Sequence, residues 1–84
     1  MSTVESHLNQ ILSKISGVVV TAIKPSDRLA EDLRIDSLDF MELVEAIEDG
    51  FGIDHLPLDM PQQVDTVGEL ALYVKARLQG EQGP

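Results

Sequence analysis

The sequence predicts an all-α fold, a small bundle of three long helices and one short helix with a long first loop. Three observations support it. Apolar residues recur at helical spacings in three separate stretches. Two of those stretches open on a Ser/Thr-x-x-Glu pattern, Ser2 to Glu5 and Thr66 to Glu69, the spacing of a capping box. No pair of segments alternates at period two in a way that would build a sheet.

In chain order, the first helix presents Val4, Leu8, Ile11, Leu12 and Ile15 on one face and stops at Gly17. Val18-Val19-Val20-Thr21 is β-branched but has no partner strand, so it is expected to be an ordered loop that drops valines onto the core. Pro25-Ser26-Asp27 marks a turn, and Leu29 and Leu33, four apart, suggest a helical turn that pins the long loop down. The second long helix runs from Ser37 to about Asp49, with Phe40, Leu43, Val44 and Ile47 as its buried stripe. Gly50 and Gly52 are expected to end it around Phe51, whose ring closes the core. Pro57 and Pro61 leave room only for a short helix near Asp59 to Gln63. The last helix buries Val67, Leu70, Ala71, Val74 and Leu78, sets Lys75 and Arg77 toward its negative end, and stops at Gly80. This is one domain spanning 1–84, with an ordered core of about 3–79 and a frayed tail at 80–84. The short tails around the helices favour a free-standing protein over an excised multienzyme domain, and a monomer is expected.

Composition narrows the function. A chain of 84 residues buries only about 60% of its unfolded surface, which leaves little room for a deep catalytic cleft. Without cysteine there is no disulfide, thiolate metal site or cysteine nucleophile, so any thiol must come from a cofactor. There is no signal-peptide pattern and no apolar run of membrane-spanning length, which gives the expectation of a cytoplasmic chain with no membrane partner. A net charge of −9 argues against nucleic acid as a partner. That charge is concentrated: Asp27 to Asp54 holds ten carboxylates against Arg28 and Arg34, a field that steers basic partner surfaces toward the middle of the chain. His7 and His55 are far apart in sequence and give no metal-ligand spacing.

The stretch with chemical content is Asp36-Ser37-Leu38-Asp39. Asp36 is a good N-cap, Ser37 is then the first helical residue, and Asp39 at N3 can return a carboxylate to the first turn. The Ser37 hydroxyl is left exposed at a helix N-terminus, where a phosphate esterified to it would meet unpaired N–H groups and partial positive charge. As a bare motif, Asp-Ser-Leu is most often an ordinary helix start. Beyond it, Leu38 and Met41 stand among Asp39, Glu42, Glu45, Glu48 and Asp49, outside the buried stripe, as two apolar knobs on an acidic face.

The wider spacing decides how to weigh that motif. Asp32-Leu33 before it, Glu42-Leu43-Val44 within the helix, Phe51-Gly52-Ile53 after it and Thr66-Val67-Gly68 at the last helix start all resemble the acyl carrier proteins. The likeness runs from the first helix to about Leu78. It implies that Ser37 is the covalent attachment residue for a 4′-phosphopantetheine arm taken from coenzyme A by a phosphopantetheinyl transferase with Mg²⁺. It also implies a non-catalytic carrier of acyl groups as thioesters in fatty-acid or polyketide-type biosynthesis, with acyltransferase and ketosynthase-type enzymes docking through basic patches. By position in the motif, the resemblance gives docking roles to Asp36, Leu38, Asp39, Met41, Glu42 and Glu48, and to Glu45, although many members have an apolar knob there.

Two departures from the family pattern stand out. Fatty-acid members usually place Gly and a small residue before the motif, where this chain has Arg34-Ile35. Four residues, Gly52-Ile53-Asp54-His55, separate Phe51 from Leu56-Pro57, where three are usual. The alternatives are an aminoacyl or peptidyl carrier, or an unmodified acidic docking module in which Ser37 is only part of a helix start. Carriers of nonribosomal peptide synthesis more often show Gly-Gly-His-Ser, so Asp36 favours acyl cargo. A Ser37 hydrolase would need a nucleophile elbow and an oriented base, and the sequence has no G-x-S-x-G. No 12-residue calcium loop is present either.

Overall fold

A computed structural model describes residues 3–53, 56 and 64–81. Helices α1 (Thr3–Ser16), α2 (Ser37–Phe51) and α3 (Val67–Glu81) carry the fold, with one 3₁₀ turn at Val20–Ala22. No strand is present among the described residues; the one sheet-like contact is an isolated antiparallel bridge between Arg28 and Thr66. The short helix expected at 59–63 and the start of the first capping box at Ser2 lie outside the described residues.

The apolar periodicity becomes the core directly. Leu8 and Leu12 of α1, Leu43 and Ile47 of α2, and Leu70 and Val74 of α3 are completely buried. The four residues of the α2 stripe, Phe40, Leu43, Val44 and Ile47, are the buried residues of that helix. Val4, Ile11, Ile15 and Leu78 pack against this core from its edge. Among the described residues, every residue buried as a whole is hydrophobic.

The loop from Gly17 to Asp36 is held from both sides. Gly17 ends α1 in the left-handed conformation, φ 80°, with its N–H donating to the Ser13 carbonyl. Of the valine run, only Val18 packs on the core. Val19 and Val20 point outward, because the 3₁₀ turn begins there and its i→i+3 bonds rotate their side chains away. Ile23, Leu29, Leu33 and Ile35 supply the loop's buried contacts instead. The N–H groups of Asp32 and Leu33 donate to the Arg28 carbonyl, making the expected turn between the two leucines. Leu29 N–H donates to the Asp65 carbonyl, Val67 N–H to Asp27 and Gly68 N–H to Pro25, each at 2.9 Å. The loop is thus laced to the beginning of α3.

Two glycines act differently from expectation. Gly50 lies inside α2, which continues through Phe51 and ends at Gly52 in the left-handed conformation, φ 69°. A Cβ at Gly50 would stand 3.2 Å from the His7 ring, so the residue serves close approach of α1 to α2. The space admits His7, whose ring lies 4.6 Å from that of Phe51. Gly80 does not stop α3 either; the helix runs on to Glu81, since a glycine costs a helix about 1 kcal/mol without forbidding it. The longer α3 leaves Lys75 short of its last turn, where its ammonium pairs with Glu5 of α1 at 3.5 Å.

Candidate functional site

The start of α2 forms as its residues dictate. Asp36 takes the N-cap in extended conformation, and its Oδ1 accepts the Asp39 N–H at 2.9 Å. The Asp39 carboxylate accepts the Asp36 N–H at 3.4 Å, completing a reciprocal capping box. The same device opens α3, where Thr66 Oγ1 accepts the Glu69 N–H at 3.2 Å and Glu69 accepts the N–H groups of Asp65 and Thr66. Ile35 and Phe40, buried on either side of the α2 cap, fix the direction from which the chain enters. Between them Ser37 is the first helical residue and is exposed. Its hydroxyl makes no hydrogen bond among the described residues.

The approach to this cap is unusual. Arg34 adopts φ 60°, the only non-glycine residue among those described with a positive φ. That conformation costs a side-chain-bearing residue roughly 1–2 kcal/mol. It is held because Leu33 and Ile35 on both sides are buried and the Ile35 N–H donates to the Leu29 carbonyl at 2.9 Å.

Ser37 stands on the rim of a cavity of about 870 Å³, within the size range of small-molecule sites. Leu29, Ile35, Phe40, Val44, Leu56 and Val64 give it an apolar wall, with Asp36, Met41, Glu45, Glu48 and Asp65 also lining it. Leu56 and Val64 belong both to the core and to the cavity wall. Leu43, Ile47 and Leu70 are core only. Sequence periodicity missed the loop side of this cavity, Leu29, Ala30 and Ile35, because those residues belong to no repeating stripe.

The acidic face sorts by what each side chain already holds. Asp36 and Asp39 are engaged in the cap. Glu48 is half-buried, and its Oε2 accepts the Leu56 N–H at 2.8 Å. Leu38 and Met41 are 72% and 59% exposed, and Glu42 and Glu45 are exposed with no hydrogen bond or ion pair to another described residue. His7 is occupied against Phe51, and no group of three or more metal-ligating side chains occurs among the described residues. No helix among them is long and apolar enough to cross a membrane.

Residues 6–74 match the family described as phosphopantetheine attachment site. The chain belongs to that family. Its members bind 4′-phosphopantetheine, and the match takes in the capped serine, the cavity and most of α3. The chain is also 37% identical over 76 residues to a protein named acyl carrier protein from Helicobacter hepaticus (strain ATCC 51449 / 3B1), covering 90% of this chain and 97% of that relative. Family membership identifies a carrier, not a catalyst, that works with biosynthetic enzymes. The residues present fit the group: an exposed hydroxyl at a helix N-terminus, unbonded among the described residues, beside an apolar cavity.

The strained residue before the cap gives a test of this local geometry. Arg34→Gly removes the Cβ from a left-handed position and is expected to raise unfolding stability by about 1 kcal/mol. Urea denaturation measures it; an unchanged or lowered midpoint would contradict the strain.

Proposed function

We propose that this chain is an acyl carrier whose 4′-phosphopantetheine arm is attached at Ser37 Oγ. The observation that carries the reading is the exposed Ser37 hydroxyl in the first turn of α2, without a hydrogen bond to any described residue and on the rim of an apolar cavity. When bound, the arm supplies a flexible thiol that holds acyl groups as thioesters. Asp36 and Asp39 keep Ser37 at the first helical position, and the early α2 amides that helix geometry leaves without intrahelical partners favour negative charge beside it. Leu29, Phe40, Val44, Leu56 and Val64 offer an apolar chain shelter from water. That lining, together with the name of the Helicobacter hepaticus relative, supports acyl over aminoacyl cargo, for fatty-acid or polyketide-type biosynthesis.

Partner recognition follows from the same helix. Leu38 and Met41 project beside the exposed carboxylates of Glu42 and Glu45. An apolar knob ringed by negative charge suits a partner with an apolar notch in a basic surface, the expected character of the phosphopantetheinyl transferase, acyltransferases and ketosynthase-type enzymes.

Intact-protein mass spectrometry after incubation with coenzyme A, Mg²⁺ and a broad-specificity transferase tests the attachment. One phosphopantetheine adduct is expected on the native chain and none on Ser37→Ala, with stability changed by no more than about 1 kcal/mol because Asp36 is the cap. An adduct that survives in Ser37→Ala would overturn the assignment. For the docking surface, Glu42→Lys with Glu45→Lys is expected to slow loading by about tenfold at low salt, the difference shrinking as salt screens the field. Equal rates for native and doubly substituted chains would remove the acidic face from recognition.

A further inference from the structure

Glu48 is bonded in a way its place on the acidic face does not suggest. Its backbone carbonyl accepts the N–H groups of Gly52 and Ile53, and its side chain accepts that of Leu56. One residue therefore receives three amides of the chain leaving α2. The carbonyl bonds are available to any residue at this position. The third needs an acceptor at the end of a side chain long enough to span to a residue eight positions on. Leu56 is 1% exposed, and both it and Glu48 line the cavity that Ser37 borders. Glu42 and Glu45, by contrast, are exposed and hold no other described residue.

We propose that Glu48 is a positioning residue, whose carboxylate holds Leu56 in place as a wall of the cavity beside Ser37 and so sets how well that cavity shields an acyl chain. The functional half of this inference rests on the carrier reading; the structural half does not. The chemistry requires only an acceptor oxygen at the end of the side chain, which Gln retains and Ala lacks. A docking role would require the negative charge, which Gln and Ala both lose. The two roles are therefore separated by the Glu48→Gln variant.

The experiment compares native, Glu48→Gln and Glu48→Ala chains, with circular dichroism establishing that each is folded. Amide hydrogen exchange at Leu56 is read first on the unmodified chain. Exchange is expected to be faster by about tenfold or more in Glu48→Ala, the loss of a hydrogen bond to a charged acceptor, and within about threefold of native in Glu48→Gln. The second readout is hydroxylamine cleavage of an octanoyl thioester on the loaded chain. It is expected to speed up several-fold in Glu48→Ala and to be restored in Glu48→Gln. Unaltered Leu56 exchange in Glu48→Ala, or equal effects of Gln and Ala on cleavage, would overturn the proposal. Altered exchange with unaltered cleavage would also overturn it, since Leu56 would then be held without shielding anything. Failure of the native chain to accept any arm would refute the carrier reading, and is distinguishable because the exchange readout needs no arm.

Discussion

The reciprocal bond between Asp36 and Asp39 is the constraint on which the functional end of this protein depends. It satisfies N–H groups that a helix start leaves without partners, and it does so with the residues on either side of Ser37 and Leu38. The serine therefore needs no role in the cap, and its hydroxyl is exposed and unbonded among the described residues. Ile35 below and Phe40 above are buried, so the cap cannot rotate without exposing apolar surface. Placement of the Ser37 hydroxyl is in this sense a by-product of core packing.

The same economy runs through the long loop. A segment of irregular chain as long as that between α1 and α2 would be a poor support for a site if it were held only at its ends. Here it contributes Ile23, Leu29, Leu33 and Ile35 to the core and is tied by three backbone bonds to the beginning of α3. The exposed ion pairs of Arg28 with Glu31 and Asp65 add little to this, since such pairs contribute between nothing and about 1 kcal/mol. Burial and backbone bonding, more than surface charge, hold the cavity wall.

Much of this was legible in the residues. The α2 stripe, the Asp36 cap, the exposed Ser37 and the Thr66 capping box follow from short-range rules that tertiary context did not override. The resemblance to acyl carrier proteins, running from the first helix to about Leu78, is borne out as to family by the match over residues 6–74. What was not legible depended on contacts between distant segments. Nothing local distinguishes Gly50, which admits His7, from Gly52, which ends the helix. The valine run misled because β-branching reports a preference for extended backbone, not the direction each side chain takes in a 3₁₀ turn. Arg34 stood out in the sequence only as a departure from the family pattern; the structure gives it a backbone meaning, φ 60° where carriers of fatty-acid type usually have glycine. Glu48 read as one more carboxylate on an acidic face because its acceptor role requires Leu56 to fold back to it.

The account holds that Ser37 and the adjoining cavity form a single site. Comparing amide chemical shifts of the phosphopantetheine-bearing chain with and without an octanoyl group tests this most directly. The account predicts that the largest changes fall on Leu29, Ile35, Val44, Leu56 and Val64, the walls of the cavity beside Ser37. Changes concentrated instead at Val20, Gly68 and Ala71, around the smaller groove between α1 and α3, or no change beyond Ser37 itself, would contradict it.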